Sequence, residues 1–181
     1  NNIPNTVVSI DDNAFKGSTF LTLLTFDSNV DSKLETIGAS AFQSCSSLGS
    51  IVLPSTLTSL GASAFQSCTS SKFAVTFAPG SVITLIEAST FASSGLKSIA
   101  IPLSVASISN NTFQNCASLT TVQVSCKSTI TIVDTAFDGC TALIAVYLPV
   151  VSTYTGSITR QALSCCGKGE YSKTGDSTTV C

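Results

Sequence analysis

A phenylalanine returns along this chain in the same short frame, and that return limits the fold more than any other feature. Six copies stand in line: IDDNAFKGS around Phe15, IGASAFQSC around Phe42, LGASAFQSC around Phe65, IEASTFASS around Phe91, ISNNTFQNC around Phe113 and IVDTAFDGC around Phe137. A seventh, ITRQALSCC, carries Leu163 in place of Phe. The anchors are 27, 23, 26, 22, 24 and 26 residues apart. Such variation reads as loop insertions on an otherwise constant turn, and self-similarity at this period marks a stacked-repeat architecture.

The other apolar residues keep fixed places around each anchor. Five residues before it stands Ile10, Ile37, Leu60, Ile86, Ile108, Ile132 or Ile158. After it comes an LxxIxL pattern: Leu21, Leu24, Phe26; Leu48, Ile51, Leu53; Leu96, Ile99, Ile101; Leu119, Val122, Val124; Leu143, Val146, Leu148. The third unit has a shifted version in Phe73, Val75 and Phe77. Alternation of period two in the IxL half predicts a strand whose apolar side chains all point one way.

Pro54, Pro102 and Pro149 each follow the last apolar residue of that strand, with Pro79 one residue later in its copy. A residue without an N–H belongs where pairing ends and the chain turns a corner. Pro4 after Ile3 holds the same place, so the sequence reads as opening half a repeat in. The β-branched segments before each Ile, such as TLTSL and TITIV, predict a second, shorter strand. The AF segment is then a short helical or 3₁₀ turn that drives Phe inward. One turn cannot bury its own apolar residues; turns stacked about 4.8 Å apart bury Phe on Phe and Ile on Ile.

The string IxxxAFxxCxxLxxIxLP closely resembles the BspA-like, or Treponema-type, leucine-rich repeat of bacterial and protist surface proteins. The resemblance covers roughly residues 3 to 164. It implies a β-rich solenoid, a right-handed coil of about seven turns with a parallel sheet on one face and short helical or 3₁₀ turns elsewhere. It also implies a position outside the cell or on its surface and a role in attachment to proteins or to other cells. Leu163 for Phe, and Ser71 where the third unit should have its first Leu, depart from the pattern.

The eight cysteines call for two explanations. Cys45, Cys68, Cys116, Cys140 and Cys166 all lie three residues after an anchor, with Ser18 and Ser94 at the equivalent sites. Equivalent positions face one interior slot, where a small thiol packs as a hydrophobe. Neighbouring turns bring the sulfurs within reach of a disulfide in Cα distance, but parallel Cβ vectors fit its dihedral badly, so buried thiols are the favoured reading and ladder disulfides the other. From Cys166 the chain reads CGKGEYSKTGDSTTVC and loses its apolar period. This tail, residues 165–181, resembles the opening of the small Cys-rich modules of ephrin and tumour-necrosis-factor receptors, with CxxGxYSxTG matched by Cys166, Gly169, Tyr171, Ser172, Thr174 and Gly175. The resemblance implies a Cys166–Cys181 disulfide, an oxidising compartment and further modules downstream; a flexible tail with loose thiols is the alternative. The partners of Cys126 and Cys165 are left open.

Catalysis finds little footing. The chain has no His, which excludes His-dependent nucleophiles and His metal sites. Asp134 and Asp138 flank one anchor on an expected exposed turn, where solvated charge is the ordinary reading, and no phosphate-cradling Gly loop exists. No cofactor is called for. Asp27 to Asp31 reads D-x-N-x-D, the start of a calcium loop, but Ser32 replaces the Gly and no Glu stands at the twelfth position. The expectation is therefore of no metal. Asn110, Asn111 and Thr112 form a single N-x-S/T sequon, and Asn110 would carry a glycan in a eukaryotic secreted chain.

Only 10% of residues are charged, the formal net charge is −2, and Ser plus Thr supply about three residues in ten. Nucleic acid demands a basic face that this chain lacks. No apolar run is long enough to span a membrane. A neutral, hydroxyl-rich surface is poorly protected by charge repulsion and is suited to being covered or to associating.

Residues flanking the central apolar position of each strand should point outward: Ser50 and Val52, Ala74 and Thr76, Ser98 and Ala100, Thr121 and Gln123, Ala145 and Tyr147. This uncharged row is either a plain strand surface or a flat contact face of small residues that order cheaply on binding. Two functional classes follow. One is a non-enzymatic extracellular or cell-surface module for protein–protein interaction and adhesion. The other is a structural subunit of an extracellular filament or appendage, assembling through the solenoid ends and the neutral face. Other proteins are the expected partners, with copies of the chain itself or glycans as further candidates.

Overall fold

The computed structural model describes residues 2–26, 32–124 and 130–148, with the strand segments Thr153–Tyr154, Ala162–Cys166 and Glu170–Tyr171. Its architecture is a parallel-sheet β-solenoid of about six turns with almost no helix. Each turn contributes one strand of up to four residues to a main parallel face: Thr25–Phe26, Ser50–Leu53, Ala74–Phe77, Ser98–Ile101, Thr121–Val124 and Ala145–Leu148. Asn2–Ile3 lies ahead of the first, paired in register with Thr25–Phe26. A second parallel face is made of two-residue strands that end on the invariant branched residue, from Ser9–Ile10 to Thr131–Ile132. These are the two strands that the LxxIxL and TLTSL patterns predict.

Inward residues follow the alternation. Ile51 and Leu53 are buried between exposed Ser50 and Val52, and Ile99 and Ile101 between exposed Ser98 and Ala100. Stacking in register places like on like: Ile108 pairs with Ile86 and Ile132, and Val122 with Ile99 and Val146. Each such branched side chain removed from water is worth about 1.5–3 kcal/mol.

The phenylalanines form the predicted column. Centroids of Phe15, Phe42, Phe65, Phe91, Phe113 and Phe137 follow one another at 5.1, 5.2, 5.8, 5.5 and 5.4 Å, with neighbouring planes no more than 13° apart. Parallel rings at that centroid spacing are offset rather than eclipsed, the arrangement the ring quadrupole prefers. Phe73, from the shifted third unit, leans on Phe65 at 5.9 Å and 43°. It fills space beside the column in the turn whose leucine is missing.

The Phe turn itself is a 3₁₀ helix only at Asp134–Phe137. In the other five, backbone hydrogen bonds run from turn to turn. At Phe15, Phe42, Phe65 and Phe91 the N–H groups two before, at, and two after the ring residue donate to carbonyls of the next turn, as in Ser40 to Ala62, Phe42 to Ala64 and Ser44 to Gln66 at 2.8–2.9 Å; at Phe113 the bonds run from Phe113 to Ala136 and from Asn115 to Asp138. The register needs left-handed residues on both sides of the ring. Asn13, Ser40, Ser63, Ser89 and Asn111 precede it at φ 55–59°, and Ser44, Ser67, Ser93 and Asn115 follow it at φ 56–61°, with Gly17 and Gly139 in that second place at the ends. A right-handed helix would point successive N–H groups along its own axis, so the inter-turn ladder displaces it.

The carbonyl of the corner residue closes a tight turn: Val7 N donates to Pro4, Leu57 N to Pro54 and Val105 N to Pro102. In the third unit Ala78 takes the Pro position, its carbonyl accepting from Ser81, and its N–H, which a proline would lack, bonds back to Leu53 at 2.9 Å. Turn length varies mainly here. Branched residue to Phe is always five residues, as in Ile37 to Phe42, whereas strand end to branched residue takes seven between Leu53 and Leu60 and eleven between Phe26 and Ile37.

The seventh turn departs from expectation. Leu163 does not continue the ring column; it lies in strand Ala162–Cys166 with Tyr147 as its Cα partner. Tyr154 pairs with Ile132, and Ile158 lies outside the described residues. Without a Phe to fix the phase, the β-forming ALSCC segment extends the main sheet instead.

Candidate functional site

Backbone register within the paired strands, and the repeat pattern of the sequence between them, set out two outward columns on the main face. One runs Leu23, Ser50, Ala74, Ser98, Thr121, Ala145 and the other Asn2, Thr25, Val52, Thr76, Ala100, Gln123, Tyr147, with Ser50 opposite Ala74, Val52 opposite Thr76, Ala100 opposite Gln123 and Gln123 opposite Tyr147. Neither column contains a charge. Ser50, Val52, Ala74, Thr76, Ser98, Ala100 and Gln123 are exposed, and Thr121 and Tyr147 are half-buried. Ala145, expected to face outward, is buried at 5% exposure, with Thr121 its partner in the ladder.

Sequence reasoning left out the first turn. Leu23 is 53% exposed and Thr25 is exposed, its hydroxyl donating to Asn2 Oδ1 at 3.1 Å. The alternation in LTLLTF carried that signal. Phe20 is 96% exposed where the equivalent residue of the second turn is Ser47. Phe20 and Leu23 therefore add large apolar groups to the first-turn end of an otherwise small-residue row. Ile144, at 63% exposure, does the same beside strand Ala145–Leu148.

The residues three after each Phe form an interior column, and Cys45, Cys68, Cys116 and Cys140 in it are free thiols. Each sulfur donates to the carbonyl of a Phe in the preceding turn: Cys45 to Phe15 at 3.1 Å, Cys68 to Phe42 at 3.2 Å, Cys116 to Phe91 at 3.0 Å and Cys140 to Phe113 at 2.9 Å. Ser94 replaces Cys in the fourth turn and its Oγ lies 3.4 Å from Cys116 Sγ. Burial pushes the Cys45 and Cys68 thiols up. Cys116 is held down to about 7, chiefly by the hydrogen bond it shares with Cys140, and the same bond, together with burial, pushes Cys140 up. Of the remaining cysteines, Cys126 and Cys181 lie outside the described residues, as do the side chains of Cys165 and Cys166, and with them the Cys166–Cys181 disulfide.

Asn110 is exposed, while Thr112 of the same sequon is buried with its hydroxyl donating to Ser109 O at 2.8 Å and Glu87 O at 3.2 Å. Asp27 to Asp31 lie outside the described residues. Among the described residues no group of three or more His, Cys, Asp or Glu side chains could hold a metal ion, and no helix is long and apolar enough to cross a membrane.

A family model described as the BspA type leucine rich repeat region matches six copies over residues 1–120 and 75–178. Among solved structures, a leucine-rich repeat protein of T. pallidum is 28% identical with a TM-score of 0.70, over 82% of this chain and 67% of that one. A leucine-rich repeat protein of Eubacterium ventriosum is 23% identical with a TM-score of 0.74, over 86% of this chain and 41% of that one. A leucine rich cell surface protein of Faecalibacterium prausnitzii is 24% identical with a TM-score of 0.53, over 88% of this chain and 57% of that one. The chain thus spans between 41% and 67% of the length of these structures. No curated protein sequence matches it.

Proposed function

Because the chain belongs to the BspA-type leucine-rich repeat family, we propose that it is a non-enzymatic, cell-surface module that takes a partner protein on the outward face of its main sheet. One observation carries this reading: the two columns turn uncharged side chains outward over five successive turns, exposed at Leu23, Thr25, Ser50, Val52, Ala74, Thr76, Ser98, Ala100 and Gln123, most of them small. Such a face loses little side-chain entropy on binding and holds no charge that must be stripped of water. Phe20 and Leu23 at one end and Tyr147 at the other offer the large side chains on which binding energy concentrates. The description of the F. prausnitzii relative as a cell surface protein supports the location, and adhesion is the form of binding it suggests. A glycan on Asn110 and a Cys166–Cys181 bridge belong to the same extracellular reading.

The test presents the native chain and a T76R/A100R variant to extracellular-matrix proteins and to intact cells. Both positions are exposed, so the variant should keep its melting temperature and lose binding. Binding that survives both substitutions, or a native chain that binds neither matrix proteins nor cells, overturns the reading.

A further inference from the structure

We infer that the partner taken on the outward row presents an acidic peptide segment, whose carboxylates are held by Lys72 and Lys97 at the border of that row. The inference rests on the reading of the row as a contact face and adds the chemistry of what meets it. Both lysines are exposed and belong to neighbouring turns, the third and the fourth. Lys97 directly precedes strand Ser98–Ile101, and Lys72 stands two residues before Ala74–Phe77. Parallel strands lie about 4.8 Å apart from one turn to the next, so the two side chains start from adjacent rungs beside the middle of the row. Two like charges so placed raise the positive potential there, and that potential favours a partner of the opposite sign.

Both charges arise where the repeat departs from its pattern. Phe73 takes the interior place in the third unit, at 2% exposure, and leaves Lys72 outside, two residues before Ala74 as buried Leu48 is before Ser50. At the place of Lys97 the first, second, fifth and sixth turns carry uncharged Thr22, Gly49, Thr120 and Ile144, as the bonds from Gly49 N to Thr22 O, Thr120 N to Lys97 O and Ile144 N to Thr120 O align them. The backbone under each lysine is tied down. Lys97 O accepts from Thr120 N at 2.8 Å and Thr120 Oγ1 at 2.9 Å, and Lys72 N donates to Ser70 Oγ at 3.2 Å. The acids of the described residues stand elsewhere. Asp11, Asp12, Glu35, Glu87, Asp134 and Asp138 all fall between two residues before a branched residue and one residue after a ring, on the second face and the Phe turn. Among the described residues neither lysine has a carboxylate partner. Two lysines suit the carboxylates of a peptide better than a sulfated glycan, whose sites are runs of about five to eight basic residues. The neutral row beside them would take the uncharged side chains of the same peptide.

The probe is fluorescent poly-L-glutamate, with heparin as the rival anion. In neutral, low-salt buffer the full chain should bind poly-L-glutamate, and K72Q/K97Q should bind it about fivefold more weakly, a gap that added salt narrows. K16Q/K33Q removes the same charge from two exposed lysines off the main face and should bind as the native chain does. On the matrix proteins that the native chain takes up, K72Q/K97Q should slow association about fivefold. All four lysines are exposed, and unchanged melting temperatures check that the variants fold. Equal binding of poly-L-glutamate by K72Q/K97Q, an equal loss in K16Q/K33Q, tighter binding of heparin, or no binding of poly-L-glutamate overturns the inference. Matrix binding that K72Q/K97Q leaves intact and T76R/A100R abolishes also overturns it, with the contact-face reading left standing.

Discussion

The Cys68 sulfur donates to the Phe42 carbonyl one turn back at 3.2 Å, and the same carbonyl accepts the Cys45 N–H at 3.2 Å. Both lone pairs of a fully buried oxygen are thereby used, which spares the penalty of about 1–3 kcal/mol for a buried polar group left unpaired. The thiol is thus a structural donor as well as filler, and it must keep its proton to serve.

That requirement sets a pH limit. Burial pushes the Cys68 thiol above its ordinary value of 9.0, so the folded state holds a proton that the unfolded chain gives up first. Its contribution is complete below the unfolded value and is lost as pH rises beyond it. Unfolding free energy should decline above about pH 9, with Cys68 contributing a slope of up to about 1.4 kcal/mol per pH unit. Urea titrations of the native chain and of C68S between neutral and alkaline pH read the difference, and equal slopes would refute it.

Phe65 should be the most costly ring to lose. It touches Phe42, Phe91 and Phe73, and F65A opens a cavity in the middle of the column worth about 3–5 kcal/mol. F15A, at the half-buried end, should cost clearly less in the same denaturation experiment.

Gly61 admits no side chain without movement. A Cβ there would stand 2.6 Å from Ala39 N and 2.7 Å from Gly38 C, both backbone of the preceding turn. G61A should destabilise by about 1–3 kcal/mol through overpacking, against near-neutrality for an alanine on the exposed outward row.

Ser67 sits at φ 59°, where a β-branched side chain is strained. S67V should lose about 2 kcal/mol relative to S67G, read as the gap between their urea midpoints at constant m-value. A gap near zero would mean the turn does not hold this residue left-handed.

Most of the architecture is legible in the sequence because side chains repeat where the core repeats. Phe42, Ile37 and the pair Ile51 and Leu53 mark three walls of one turn, and their recurrence sets the stacking. The conformation of the Phe turn is not legible in the same way: Ser40 and Ser44 carry no sign of a left-handed backbone, since serine is common in many settings and only the inter-turn hydrogen bonds select that conformation. Leu163 is misassigned for a related reason. An aliphatic residue suits either the ring column or the sheet, and backbone pairing to Tyr147 decides between them. On the outward row, period two correctly picks out Val52, Thr76 and Ala100. It misses the burial of Ala145, because alternation gives a direction and not a degree of exposure, and it says nothing of the exposed Phe20, which lies off the strand.

The corner between strand end and branched residue is the part of each turn whose length is least fixed, seven residues in one place and eleven in another, while the five-residue step into the ring column never changes. A chain organised in this way can grow at one edge without renegotiating its interior. New loops, each hung at a regular height along the same border, would give descendants of this scaffold different grips while the spine beneath them stayed as it is.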